Sequence, residues 1–185
     1  MKCLICYQSK TGTTAKCAEI LKKKLEKRGA QVTAANLAAG RPQLAGYDCI
    51  ITGAPVRMGK IPKETKAFLE AGRNELLNCK KTAFFICSAF SAQTQQVLLE
   101  NFPRELLEAS VCAAGFGGEV DIHKQKGFDR FMARMMTNLV KHYKAAMPSV
   151  REENIEAFAN TLCSSERRKF LAQKLLISTE DLADA

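Results

Sequence analysis

The sequence predicts a three-layer α/β domain. It should hold a doubly wound, five-stranded parallel sheet in the order 2-1-3-4-5, with a helical insertion after strand five. Three observations carry this expectation. Strand-like segments alternate with segments of helical periodicity from residue 2 to residue 118. The strand-like segments are apolar almost without a break, as in parallel strands covered on both faces. There are five of them, and a doubly wound chain with five strands favours this order. All 185 residues should form one domain, 1–185, with 119–148 as the insertion and 149–185 as a closing helix and C-terminal tail.

The elements follow in order. Residues 2–7, "KCLICY", read as a buried strand. "TTAKCAEILKKKLEKRG" (13–29) reads as a helix with Cys17, Ala18, Leu21 and Leu25 on one face and Gly29 as its stop. "AQVTAAN" (30–36) is the second strand and "GYDCIITG" (46–53) the third. "IPKETKAFLEAG" (61–72) is a helix with Pro62 early and Gly72 late. "TAFFICSAF" (82–90) is strand four, and "TQQVLLENFPRELLEA" (94–109) is helical with a break near Pro103. "SVCAAGFGG" (110–118) is strand five. Ser149 and Glu152 have the spacing of a capping box for the closing helix at 149–162. "SERRKFLAQKLL" (165–176) adds a short amphipathic helix.

Eight cysteines are present, and Cys3, Cys6, Cys49, Cys87 and Cys112 lie in apolar runs, where cysteine acts as a small hydrophobe. Cys3 and Cys6 have CxxC spacing, but i and i+3 on a strand face opposite ways, so neither a disulfide nor a shared metal is expected. Reduced thiols and a cytoplasmic setting are expected, with no metal site. The apolar start is too short for a signal peptide, and no run approaches a membrane span. Net charge is +9 and uneven: residues 1–30 hold eight Lys/Arg against two acids, residues 149–185 five against seven. A basic body attracts anionic partners, but no nucleic-acid recognition motif accompanies it. The run "KKKLEKR" (22–28) has helical spacing and should face water.

The hexapeptide "SKTGTT" (9–14) follows strand one and opens helix one. In a doubly wound sheet, ligands sit at the carboxyl ends of strands near the point where strand order reverses. A helix N-terminus there offers unpaired N–H groups and a partial positive charge to a phosphate. Gly12 permits close approach, and Ser9, Thr11, Thr13 and Thr14 carry hydroxyls, with Lys10 as an exposed neighbour. The same residue types suit a plain N-cap and tight turn. Position after the first strand favours the phosphate. Neither GxxxxGK[ST] nor GxGxxG is present, so a single terminal phosphate suits the loop better than a nucleotide pyrophosphate.

Here the chain resembles the flavodoxin superfamily, whose FMN-phosphate loop [ST]-x-T-G-x-[TS] is matched by Ser9, Thr11, Gly12 and Thr14. "GAPVRMG" (53–59) is similar to the G-A-x-[IV]-R-[YM]-G loop of flavodoxin-like, menaquinone-dependent protoporphyrinogen dehydrogenases, and "GFDRFMARMM" (127–136) to their inserted "YDRF"-type segment. The resemblance implies FMN as cofactor, tied by its phosphate to Ser9, Lys10, Thr11, Gly12, Thr13 and Thr14. Its ring would lie across loops 54–60 and 88–94, that is, Ala54, Pro55, Val56, Arg57, Met58 and Gly59 on one side and Ser88, Ala89 and Phe90 on the other. With no Trp in the chain, Met58 replaces the usual aromatic, and Phe90 can stack from the other side. Arg57 would stabilise negative charge on the reduced ring and raise its potential, whereas carrier flavodoxins surround the ring with acids.

Phe128, Phe131, Met132, Met135, Met136, Leu139, Val140 and Tyr143 form a helical apolar stripe in the insertion. Two readings of it stand: an extra helix packed on the domain, or a basic, methionine-lined face toward a hydrophobic substrate or the inner membrane surface. His142 lies off the stripe. Both histidines read as surface residues, and of the two His123 is the better candidate for proton transfer, because its loop should open on the flavin side. The leading expectation is an FMN-dependent oxidoreductase with a quinone or other small-molecule acceptor. The alternative is a flavodoxin-type electron carrier between redox proteins, and a third reading is a flavin-binding module without turnover.

Overall fold

A computed structural model describes residues 1–89, 93–119 and 148–164. Five parallel strands run in the order β2-β1-β3-β4-β5: β1 (Lys2–Tyr7), β2 (Gln31–Asn36), β3 (Cys49–Pro55), β4 (Lys81–Cys87) and β5 (Cys112–Gly115). This is the order expected from the strand count. Successive residues of β1 face opposite layers. Cys3 and Ile5 join one core with α1 (Thr13–Glu26) and α6 (Glu152–Cys163), and Leu4 and Cys6 join the other. The helices over the second face are α2 (Lys63–Ala71), α3 (Arg73–Asn78), α4 (Thr94–Asn101) and α5 (Arg104–Ala109). Burial from both sides is why β1, β3 and β4 read as unbroken apolar runs. β2 and β5 are the edge strands, and β2 is half-exposed along its length.

The strand ends differ from the sequence reading for local reasons. Gly46 turns at φ +82, so β3 starts at Cys49 rather than 46 and runs on to Pro55. β4 stops at Cys87 rather than 90. β5 is shorter at both ends: Ser110 finishes α5, its hydroxyl donating to the Leu107 carbonyl (2.7 Å), and Gly117 turns at φ +71. Helix α2 ends at Gly72 as expected, but that glycine also opens α3, which the sequence reading lacks. The break at Pro103 separates α4 from α5.

The capping box at Ser149 and Glu152 does not form. Ser149 accepts the Gly118 N–H through its carbonyl (3.2 Å) and Val150 bridges Gly117, which keeps this stretch extended. Helix α6 starts from Arg151 without a side-chain cap. The run 22–28 is only partly a water-facing surface. Lys24 donates to Glu156 of α6 at 2.6 Å, and Arg28 bridges Glu156 and Asn160, so two of its cations fasten α6 to α1. An aromatic trio packs α6 on the sheet: Phe85 stacks on Phe116 (4.5 Å) and Phe158 meets Phe116 edge-on (5.1 Å). Among the described residues, no helix is long and apolar enough to cross a membrane.

Candidate functional site

The three site loops leave the sheet with its hydrogen-bond ladder still running. Gln8 N–H donates to the Gly53 carbonyl (3.2 Å), Val56 N–H to Cys87 (2.8 Å) and Ser88 N–H to Gly117 (2.9 Å). Each strand pair is thus prolonged beyond its last paired residues, β1/β3 and β3/β4 by one bond and β4/β5 by two, the other being Phe116 N–H to Ile86 (2.9 Å). The carboxyl ends of β1, β3 and β4 therefore form a stiff floor beside the β1/β3 reversal point, where such sheets bind ligands.

On the β1 side, Gly12 is the N-cap of α1 at φ +99 and accepts the first helical bond from Lys16 (2.9 Å). Ser9 Oγ accepts the Gly12 N–H at 3.2 Å, closing the loop on itself. The first turn of α1 carries no acidic residue and no side-chain cap. Its N–H groups and positive dipole end are what an incoming phosphate would meet. A Cβ placed on Gly12 would meet nothing within 4 Å, so the space before the loop is open. Lys10 is exposed, and Ser9, Thr11 and Thr13 are half-buried. Thr14 is buried.

On the β3 side, Arg57 and Lys60 exchange backbone hydrogen bonds, each N–H donating to the other's carbonyl at 2.9 Å. Between them Met58 and Gly59 both have positive φ, +49 and +74. This is a two-residue hairpin of type I′, a turn that prefers Asn-Gly or Asp-Gly. Met58 is the one non-glycine with positive φ among the described residues, which costs about 1–2 kcal/mol. It is also 83% exposed. Strain of this kind persists only where neighbours hold it in place. The neighbour here is Asn101 of α4, whose side chain bonds Gly59 and Ile61 on the hairpin's returning arm. The sequence reading missed Asn101. The clue was a polar residue beside Val97 and Leu98 on the buried face of its helix.

The third wall is the β4–α4 loop. Gly118 packs on Ser88 and Ala89 so closely that an added Cβ would lie 2.8 Å from the Ser88 carbonyl carbon. Lys16 is tied to Glu119 at 2.6 Å, and that carboxylate raises the lysine's pKa. Gln8 links the floor to α2, donating to Glu64 (3.3 Å) and accepting from Thr65 (3.2 Å). Below the floor, Cys17 and Cys87 hydrogen-bond to each other. That bond and then burial push Cys87 well up, keeping it neutral, and burial alone pushes Cys6 up to about 12. Thus Ser9 to Thr14, Ala54 to Gly59, Ser88 and Ala89 all lie at one end of the sheet. Phe90, His123, His142, the stripe 128–143 and the segment 165–176 lie outside the described residues.

These walls fit the cofactor that the resemblance implies. A helix N-terminus with no acidic residue in its first turn, and with the nearby Glu119 carboxylate paired to Lys16, suits a phosphate, and a rigid floor with an apolar rim residue, Met58, suits a flat ring. Comparisons agree. The Flavodoxin domain family model matches residues 4–146. Protoporphyrinogen IX dehydrogenase [quinone] of Escherichia coli (strain K12) is 24% identical over 147 residues, covering 75% of this chain and 80% of that protein. A Streptococcus pneumoniae TIGR4 flavodoxin superposes with a TM-score of 0.52 at 18% identity, covering 88% of this chain and 97% of that one. A flavodoxin from the Archaea gives 0.50 at 18%, covering 78% and 99%. A mutant flavo di-iron protein from Thermotoga maritima gives 0.52 at 13%. It covers 87% of this chain, but the chain spans only 35% of that longer protein. The structural matches speak for the fold alone.

Proposed function

The chain belongs to the flavodoxin domain family, with FMN as its cofactor, and from that premise we propose that it is an FMN-dependent oxidoreductase similar to the quinone-linked protoporphyrinogen IX dehydrogenase of E. coli. Bound FMN supplies the electron and hydride transfer. The chain's own residues bind, orient and tune it. The α1 N-terminus, with Ser9, Thr11, Gly12 and Thr13, holds the phosphate. Val56 to Gly59 and Ser88 to Ala89 flank the ring, and Arg57 provides positive charge beside it.

The observation that carries the reading is the hairpin at 57–60. Its four residues are Arg, Met, Gly and Lys, so the ring-side loop is basic and apolar rather than acidic. Cationic surroundings favour the reduced, more negative flavin, which suits an enzyme that takes electrons from a donor and passes them to a quinone. The basic net charge of the chain points the same way.

The test is anaerobic reduction of the FMN-loaded protein, then reoxidation by menaquinone analogues, with protoporphyrinogen IX as the trial donor. Multiple turnovers without a second protein support the enzyme. Turnover that appears only with a protein reductase or a protein acceptor replaces it with the electron-carrier reading. Arg57→Ala should lower the reduction potential of bound FMN, and an unchanged potential removes Arg57 from the tuning role.

A further inference from the structure

Asn101 is the last residue of α4, 8% exposed, on the face that carries Val97 and Leu98 into the core. Its side-chain oxygen accepts the Ile61 N–H at 3.1 Å. Its amide nitrogen donates to the Gly59 carbonyl at 2.7 Å and to the Val97 carbonyl of its own helix at 2.9 Å. The amide therefore does what a neighbouring strand would do: it offers one donor and one acceptor to an extended backbone. The two groups it satisfies bracket Lys60, directly after the strained Met58–Gly59 turn. Ile61 is buried and Lys60 exposed, so this pair of bonds fixes where the hairpin leaves the body of the protein.

The Arg57–Lys60 backbone pair closes the turn but does not tell it which way to lean. That direction comes from Asn101, about 40 residues further along the chain. We propose that Asn101 is a positioning residue for the flavin ring: by clasping Gly59 and Ile61 it holds the Arg57–Lys60 hairpin against the cofactor, so that it governs ring affinity and potential without touching the flavin. This rests on the FMN reading above and adds a residue to it.

A leucine at 101 matches the shape but leaves the buried Ile61 N–H and the part-buried Gly59 carbonyl unpaired, a loss equivalent to about tenfold in affinity. The test measures FMN and riboflavin dissociation constants and the reduction potential of bound FMN in wild type and Asn101→Leu. The hydrogen bonds of this clasp go to Gly59, Ile61 and Val97 and none to residues 9–14, so both flavins should weaken by the same factor of about tenfold, leaving their affinity ratio unchanged, and the potential should shift. Asn101→Asp provides a second measurement should the leucine variant not fold. It keeps the acceptor for Ile61 but sets a carboxylate oxygen against the Gly59 and Val97 carbonyls. Its flavin affinity should recover as the pH is lowered and the protonated carboxyl again donates, while wild type shows no such recovery.

Unchanged affinity and potential in both variants overturn the positioning role. So does a loss confined to FMN with riboflavin unaffected, because that pattern belongs to the phosphate loop. A wild type that binds neither flavin overturns the FMN reading and this role with it. Wild-type binding with silent variants overturns this role alone.

Discussion

Gly12 and Gly29 make a matched pair for testing the phosphate loop. Both have positive φ, +99 and +80, and a Cβ on either would meet nothing within 4 Å. Alanine at each position should therefore carry the same kind of backbone strain and no clash, about 1–2 kcal/mol. For a domain of this length that is a melting-temperature drop of about 2–8 °C. The two differ in what lies before them. Gly29 ends α1 at its carboxyl end, where its N–H bonds Glu26 (2.9 Å). Gly12 opens α1, and the Cβ of Gly12→Ala would project into the space an incoming phosphate needs. Thermal unfolding of the apoprotein should show similar losses for Gly12→Ala and Gly29→Ala. FMN titration should show weakening by about tenfold or more for Gly12→Ala, and near wild-type affinity for Gly29→Ala. Equal FMN affinity in the two variants would refute the phosphate site at residues 9–14, whatever their stabilities.

Two further outcomes follow from other contacts. Gly118→Ala drives a methyl against the Ser88 backbone, so it should destabilise the domain by about 1–3 kcal/mol and weaken FMN through the β4–α4 loop; urea unfolding and flavin titration read the two effects separately. Asp48 accepts the Lys2 N–H (2.9 Å) and the Lys80 ammonium (2.8 Å), and these, the backbone bond first, hold its carboxyl at about 2 against a usual 3.8. A carboxyl lowered on folding contributes stability above its unfolded value and loses it as the pH falls toward its folded value. Asp48→Asn should therefore flatten the fall in urea midpoint between about pH 4 and pH 2, and an unchanged slope would contradict this.

Much of this arrangement is legible along the chain because it is local. Continuous apolar runs announced β1, β3 and β4, and the hydroxyl-rich loop announced the opening of α1. Strand ends were less legible, since they depend on partners: the last rung at the end of β4 is made by Ser88 to Gly117, about 30 residues away. Helix α3 escaped notice because six residues with one buried side chain, Leu76, carry almost no periodicity. The type I′ hairpin was invisible because Met58 stands where Asn or Asp would signal it. Asn101 went unread for the opposite reason: a polar residue in a helix normally reads as facing water, and its place beside Val97 and Leu98 gains meaning only when the fold brings Gly59 and Ile61 to it. The Ser149/Glu152 box failed because a long-range bridge, Val150 to Gly117, outcompeted a local cap.

The extra rungs at Gln8, Val56 and Ser88 have a kinetic consequence. Amides bonded within the central ladder exchange with solvent only when the sheet itself opens, whereas a helix's first-turn amides and a hairpin tip exchange through small local motions. Hydrogen exchange on the apoprotein should thus find slow protons at 8, 56 and 88 only a few residues from fast ones at 13 and 58. The cofactor would arrive at a floor already in its final shape, and the ordering entropy of association would fall almost wholly on the rim. Small distortions of the rim should then show themselves mainly in how quickly the flavin leaves, and much less in how quickly it is captured.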